Sequence, residues 1–457
     1  MLLDMVFGVA PSRGGMIDSL MVTHQSATMM MRLYRCLLWL LQPLVRIRLH
    51  RRARREPEYG QRQAERFGHV PPDVRAHCVW FHTVSAGETI AAAPLIRQLA
   101  TEFATTPFLV TTMTPTGSQQ VIERLDDCVD HCYAPYDFTA GVQRFFQRVQ
   151  PRILILMETE LWPNLIDAAH NAGIPVVLVN ARLSERSARG YQRISGLSRP
   201  MLGKLSDIAC QSQAHVERFI ALGADPQTTR ASGSVKYDVT LPDGFAQRVV
   251  EWRHRFALQH QPVWIAASTH PGEDEPVLEA FQMLRKQLPA TRLLLVPRHP
   301  VRTQEVVALA EQCGLQVALQ SAAMAQPLTT APDVLVGDVM GTLLELYGVA
   351  DVAFVGGSLV PVGGHNPLEP AVCGLPIICG PHQFNFTDVM AHLAELEALQ
   401  TISCADELAE LVLALLRDPQ ERHRRGSQAA SAVDQNRGAT ERVAMLLRAR
   451  ITAALAQ

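Results

Sequence analysis

The sequence predicts an α/β protein of GT-B type, two Rossmann-like doubly wound domains facing an interdomain cleft, on three observations. Short apolar runs recur along the chain, each closed by a polar loop and followed by a helical stretch. Runs of that kind, alternating with helices, are strands of parallel sheets covered on both faces. The alternation breaks once, around Pro242–Trp252, and then restarts. The 457 residues exceed one typical core and suit two of roughly 150–200 residues each.

The first series runs Val79–Val84, Phe108–Thr112, Ile153–Met157, Val176–Asn180 and Ile208–Cys210, with helices at Thr89–Ala100 and Leu165–Asn171. The second runs Val263–Ala267, Leu293–Val296, Val334–Val336, Val352–Val355 and Pro376–Ile378, with a helix at Glu275–Leu288. Residues 51–243 are assigned to an N-terminal acceptor domain. Residues 244–457 form the second domain, closed by Ala-, Leu- and Arg-rich helices from Ala405 onward. In such sheets ligands bind outside the carboxyl ends of the strands. The fold permits transferases, epimerases and phosphorylases alike, so function must come from the sites.

Composition excludes several classes. An apolar fraction of 47% and a charged fraction of 19% describe an ordinary globular chain. A net charge of −2 argues against a general nucleic-acid binder. Nine scattered cysteines without a second close pair beside Cys128 and Cys132 read as reduced thiols, not metal ligands. No Walker motif is present and no G-x-G-x-x-G follows a first strand, which disfavours ATP hydrolysis and NAD binding.

Residues 1–28 show no periodic element, and Met29-Met30-Met31 marks an alternative start, so 1–29 is assigned as a non-native or disordered extension. Residues 30–50 are assigned as a membrane-associated helix. The run Leu33–Leu49 carries Trp39 and several leucines, with Gln42, Pro43 and Arg46 interrupting it. A spanning helix wants about 20 apolar residues. The expectation is a helix that enters the membrane surface from the cytoplasmic side, with Arg51, Arg52, Arg54, Arg55, Arg62 and Arg66 continuing it as a basic stretch. No small-residue cleavage site follows it.

The most informative segment of the second domain is Gly356–Pro370. It holds two glycine pairs and His365-Asn366-Pro367-Leu368-Glu369 before a helix Leu368–Cys373. Asn366 and Pro367 suit the N-cap and first turn, and Glu369 completes a capping-box-like pair. The glycines are expected to let backbone approach a ligand, and the helix N-terminus to favour an anion. Glu369 also suits ribose hydroxyls. Arg298 and His299 close another strand, where an arginine binds phosphate through its fork. Val339, Met340 and Gly341 form a third loop and Ser268–Glu273 a fourth; together they predict a nucleotide site.

In the first domain, Glu88 stands at the first strand-to-helix junction, where it also suits a helix dipole. Glu158 and Glu160 directly follow a strand, and Lys236 lies near the domain junction. A carboxylate as general base, with other charges steadying an oxocarbenium-like transition state and a departing phosphate, suits glycosyl transfer.

These motifs, taken in order, resemble the Kdo (3-deoxy-D-manno-octulosonic acid) transferases of lipopolysaccharide assembly. The resemblance runs from about Met30 to the C-terminus. It is carried by the apolar-basic anchor, Val84–Glu88, Met157–Pro163, Gly233–Asp238, Pro297–Pro300 and Gly363–Pro370. It implies an inverting, metal-independent GT-B enzyme without cofactor, moving Kdo from CMP-Kdo to a lipid A precursor at the cytoplasmic face of the inner membrane. By that resemblance Glu88 is the base, and Glu158, less so Glu160, and Lys236 steady the transition state. Arg298, His299, Val339–Gly341 and Asn366–Glu369 hold CMP. Two other readings compete: a nucleotide-sugar 2-epimerase, which leaves the anchor without a purpose, and a non-catalytic nucleotide-binding scaffold at the membrane.

Overall fold

The computed structural model describes residues 19–456, with side chains described from residue 28. The chain divides into two units. The first takes residues up to Val235 and the last helix from Gly438, and the second is Lys236–Arg437. The expectation for residues 1–18 lies outside the described residues.

The first unit is a seven-stranded sheet of β1 (Val79–His82), β2 (Phe108–Thr112), β3 (Asp130–Tyr133), β4 (Ile153–Met157), β5 (Val176–Ala181), β6 (Asp207–Cys210) and β7 (Thr229–Ala231). All pairings are parallel, in the order β3-β2-β1-β4-β5-β6-β7. The order reverses between β1 and β4, which makes that edge the topological switch point. β1, β2 and β4 are buried at every position, as a sheet covered on both faces requires.

The second unit repeats the plan with β8 (Val263–Thr269), β9 (Arg292–Pro297), β10 (Val317–Leu319), β11 (Val334–Val336), β12 (Val352–Val355), β13 (Ile377–Cys379) and β14 (Leu399–Thr401). Its order is β10-β11-β9-β8-β12-β13-β14, again wholly parallel, with the switch point between β8 and β12.

Two boundaries differ from the sequence reading. The chain leaves the first unit at Val235, not at 243. The final helix, Ala439–Leu455, belongs to the first unit instead of closing the second. Its apolar stripe of Ala439, Val443, Ala444, Leu447, Ile451 and Ala454 packs into the core around Val79, Phe81 and Leu95. Arg450 and Arg230 both bind the fully buried Asp207, and Arg448 pairs with Glu102. The amphipathic period announces a packed helix but does not say which sheet it covers.

The N-terminal helix runs from Ser19 to Arg55, longer than the 30–50 expected and continuous through Pro43. The helical residues before 30 therefore belong to an ordered element, not to an extension without structure. One face is docked: Tyr34 Oη donates to Asp137 (2.8 Å), and Arg35 reaches Asn164 (2.9 Å) and Asp167 (2.5 Å). Leu38 and Leu49 are buried on that side. The opposite face exposes Met29, Leu33, Leu40, Leu44 and Ile47, with Trp39 70% exposed. Arg46 and Arg52 lie over the rings of Phe67 and Tyr59, so they are held by the protein, while Arg32, Arg48 and Arg51 are exposed. Among the described residues no helix is long and apolar enough to cross a membrane.

Candidate functional site

The first unit gathers carboxylates at its switch point. The loop after β1 carries Ser85 and Glu88 into the helix Ala86–Glu102. Glu88 N–H donates to Ser85 Oγ (3.3 Å), Ser85 Oγ–H donates to Glu88 Oε1 (2.8 Å), and Val84 N–H donates to Oε2 (2.8 Å). That is a variant of the capping box, with Glu88 reaching back to the residue before the N-cap, so the structural role foreseen for Glu88 is real. Capping alone lowers a carboxyl pKa, because the helix N-terminus favours the charged form. Glu88 behaves oppositely: burial, then the charges of Glu160 and Glu158 beside it, push its carboxyl up to about 8. It is 7% exposed.

The opposing acids come from the loop after β4. Glu158 holds a left-handed backbone, φ 54°, a costly conformation for a non-glycine residue and one that clusters at functional sites. Glu160 takes a hydrogen bond from Trp162 Nε1 (2.8 Å), and burial still raises its carboxyl. The guanidinium of Arg182, just past β5, stands 3.9 Å from Glu158. The structure therefore brings Glu88, Glu158 and Glu160 together. His82 and Trp162 pack beside them, with ring centroids 4.8 Å apart. His82 is fully buried, which drives its imidazole down to about 3 and keeps it neutral.

The second unit gathers cationic and imidazole groups. Loops after β8, β9 and β12 bring His270, Arg298, His299 and His365 into one cluster. The rings of His270 and His365 stack at 5.1 Å and 5°, with their Nε2 atoms 2.8 Å apart. One Nε2 donates to the other, so the two rings cannot both be cationic in this arrangement. Burial, then the charge of Arg298, lowers His365 to about 3. His299 meets His270 edge-on at 5.9 Å. Val339 and Met340 are exposed on the loop after β11, and Gly341 is in the left-handed region. Thr342 Oγ1 donates to the Val339 carbonyl, fixing that loop. Lys236 sits half-buried in a short turn at the start of the second unit.

The helix after Asn366 is Leu368–Val372, only five residues. Asn366 Oδ1 accepts from Leu368 N–H (3.1 Å) and Asn366 Nδ2 donates to Glu369 (3.2 Å), but the N-cap position falls on Pro367, which has no side-chain cap, so the expected capping box gives way to a side-chain pair. A helix this short has little dipole for an anion, which removes that part of the expectation. The glycines also serve differently. A Cβ on Gly356 would lie 2.6 Å from the Ser268 carbonyl oxygen, and one on Gly357 would lie 2.9 Å from the His365 ring. These two glycines let the protein's own loops approach. The sequence reading placed His270, Glu273 and His365 in site loops but missed two contacts among them: the stacked histidine pair, and the buried Glu273 carboxylate that joins the loop after β8 to the loop after β12.

Two parallel doubly wound units, each with its polar groups at the switch point, define a GT-B-type protein. The UDP-GlcNAc 2-epimerase of Neisseria meningitidis has this fold, at a TM-score of 0.51 over 82% of this chain and all of that one, but shares 11% sequence identity. Sequence gives the family. Residues 61–239 match the family model for 3-deoxy-D-manno-octulosonic-acid transferase (kdotransferase). The 3-deoxy-D-manno-octulosonic acid transferase of Haemophilus influenzae is 40% identical over 421 residues, 91% of this chain and 97% of that protein. The C-terminal CMP-Kdo binding domain of WaaA from Acinetobacter baumannii is 32% identical, covering 42% of this chain and 98% of that one, at a TM-score of 0.39. The chain belongs to the 3-deoxy-D-manno-octulosonic acid transferases and is a glycosyltransferase.

Proposed function

We propose that the enzyme moves Kdo from CMP-Kdo to a hydroxyl of the lipid A precursor lipid IV-A, with inversion and without a metal, in lipopolysaccharide biosynthesis. The observation that carries this reading is the carboxyl of Glu88, raised by burial beside two further acids. In the mechanism Glu88, as carboxylate, takes the proton of the acceptor hydroxyl. The freed oxygen pair attacks the anomeric carbon of Kdo from the face opposite the phosphate. The bond to the phosphate oxygen breaks and CMP leaves with that electron pair. Glu158 and Lys236 steady the cationic sugar and the departing charge. Arg298 and His299 hold the single phosphate, Val339–Gly341 the base, and Asn366–Glu369 the ribose. The linkage carries one phosphate charge, which the Arg298 guanidinium balances without a metal.

The pH–rate profile tests the base. Glu88 must be ionised to act, and its pKa is raised, so activity falls as pH drops below about 8. Donor-saturated rates should climb close to tenfold per pH unit from about 6 to 7, reach half their maximum near 8 and level off above about 9. A flat profile across that range contradicts the assignment.

The reading also places the enzyme on the cytoplasmic face of the inner membrane, held by the N-terminal helix. The exposed stripe from Met29 to Ile47, with Arg32, Arg48 and Arg51 beside it, supports an interfacial helix. Buried large apolar side chains contribute about 1.5–3 kcal/mol each. The triple variant Trp39→Ser, Leu40→Ser, Leu44→Ser should therefore weaken binding to anionic lipid vesicles by at least about tenfold. Co-sedimentation equal to wild type contradicts the anchor.

A further inference from the structure

The loop after β12 carries His365 and Asn366–Glu369, and the loop after β8 carries His270. One buried side chain ties them together. Glu273 is fully buried and accepts four backbone hydrogen bonds: from His270 N–H (2.9 Å) and Gly357 N–H (2.6 Å) at Oε2, and from Ser358 N–H (2.9 Å) and Leu359 N–H (2.9 Å) at Oε1. Glu273 is the N-cap residue of the helix Asp274–Gln287, yet its side chain caps none of that helix's own N–H groups; only the first of these bonds is local, closing the turn from His270. The other three come from 84 to 86 residues further along the chain, across the switch point between β8 and β12.

The grip passes on to the ligand-facing residues. Gly357–Leu359 begins a loop that closes on itself, with Gly363 and Gly364 N–H both donating to the Gly357 carbonyl (3.0 and 2.7 Å). His365 N–H then donates to the Gly356 carbonyl (3.1 Å), which sets its ring against His270. Ser358 is locked from its other side, since Gly380 N–H donates to its Oγ and His382 N–H to its carbonyl. Each end of the histidine pair is thus two bonds or fewer from Glu273.

We infer that Glu273 is a positioning residue for the donor: its carboxylate fixes the loops after β8 and β12 so that His270, His365 and Asn366–Glu369 present one preformed surface to the anionic nucleotide sugar. The inference rests on the reading above that the second unit holds the donor. Only a carboxylate supplies acceptors to all four N–H groups. Glutamine keeps the shape but turns an NH2 toward one pair of donors, so one loop is released while the other stays held.

The test is Glu273→Gln and Glu273→Asp in the full chain, with Arg298→Ala alongside. The readouts are KM for CMP-Kdo, KM for the lipid acceptor, kcat and thermal melting. Glu273→Gln is expected to raise the donor KM about tenfold or more. The acceptor KM should stay near wild type, and Glu273→Asp should fall between the two. A donor KM at wild-type level with a lowered melting temperature overturns the inference, leaving Glu273 as a brace of the fold. If Arg298→Ala also leaves the donor KM unchanged, the donor reading itself fails; if Arg298→Ala alone raises it, only the role of Glu273 fails. Hydrogen exchange of the unliganded wild-type enzyme covers the case in which the variants do not fold. The amides of Gly357, Ser358 and Leu359 should be protected before any donor binds, and rapid exchange there overturns the inference.

Discussion

Glu88→Gln is expected to lower kcat by about 10²–10⁴-fold, the span usual for loss of a general base. The substitution is chosen to spare the fold. Glutamine completes a capping box as glutamate does, so its amide oxygen can still accept from Val84 N–H or Ser85 Oγ–H. What it cannot do is take a proton. CMP binding, a property of the second unit in this account, should not change, and calorimetric titration with CMP checks that. A variant with wild-type kcat would reduce Glu88 to its capping role, and one that lost CMP binding would point to misfolding instead of chemistry.

The second large effect is expected at Arg298. Its neighbours are three histidines, of which His365 is held neutral, so the guanidinium is the permanent charge of the cluster. A hydrogen bond to a charged group contributes about 1.5–3 kcal/mol. Arg298→Ala should therefore raise the donor KM about 10–100-fold. Lysine should restore part of that, because it returns the charge but not the planar fork. Complete restoration by lysine would mean that the fork does not read the phosphate. No change with alanine would move the phosphate elsewhere.

The contrast between these two residues shows where sequence was legible. Strands buried on both faces were readable from their apolar runs: β2, β4, β11 and β12 fall where the pattern puts them. The four strands that escaped, β3, β7, β10 and β14, are the edges of the two sheets. Edge strands are short and half-covered; β3 reads Asp-His-Cys-Tyr and carries no apolar run. Site residues followed the same logic. The placement of Glu158 and Arg298 was readable because a charge directly after an apolar strand lies at its carboxyl end, and that of Glu88 because it opens the helix after such a strand. The role of Glu273 was not, since three of its four partners lie 84 to 86 residues away and all are backbone amides, which almost any residue supplies. The glycine pairs were correctly marked as places of close approach, but pattern alone does not distinguish a ligand from the protein's own loop.

Strain adds a signal of its own. Glu158, Asn180 and Ser268 all hold positive φ at or just past the ends of β4, β5 and β8. At Asn180 and Ser268 the strand register also shifts, as bulges do beside active sites. Such distortions persist only where the surroundings over-determine them, which is how an enzyme keeps its groups in place before substrate arrives.

The most direct test of the account is the mass of the lipid product. Purified enzyme is incubated with CMP-Kdo and lipid IV-A in the presence of EDTA, beside Glu88→Gln under the same conditions. The account predicts a lipid heavier by one or more Kdo units with the wild type and almost none with the variant. An unchanged lipid from folded wild-type enzyme, or equal product from Glu88→Gln, would contradict it.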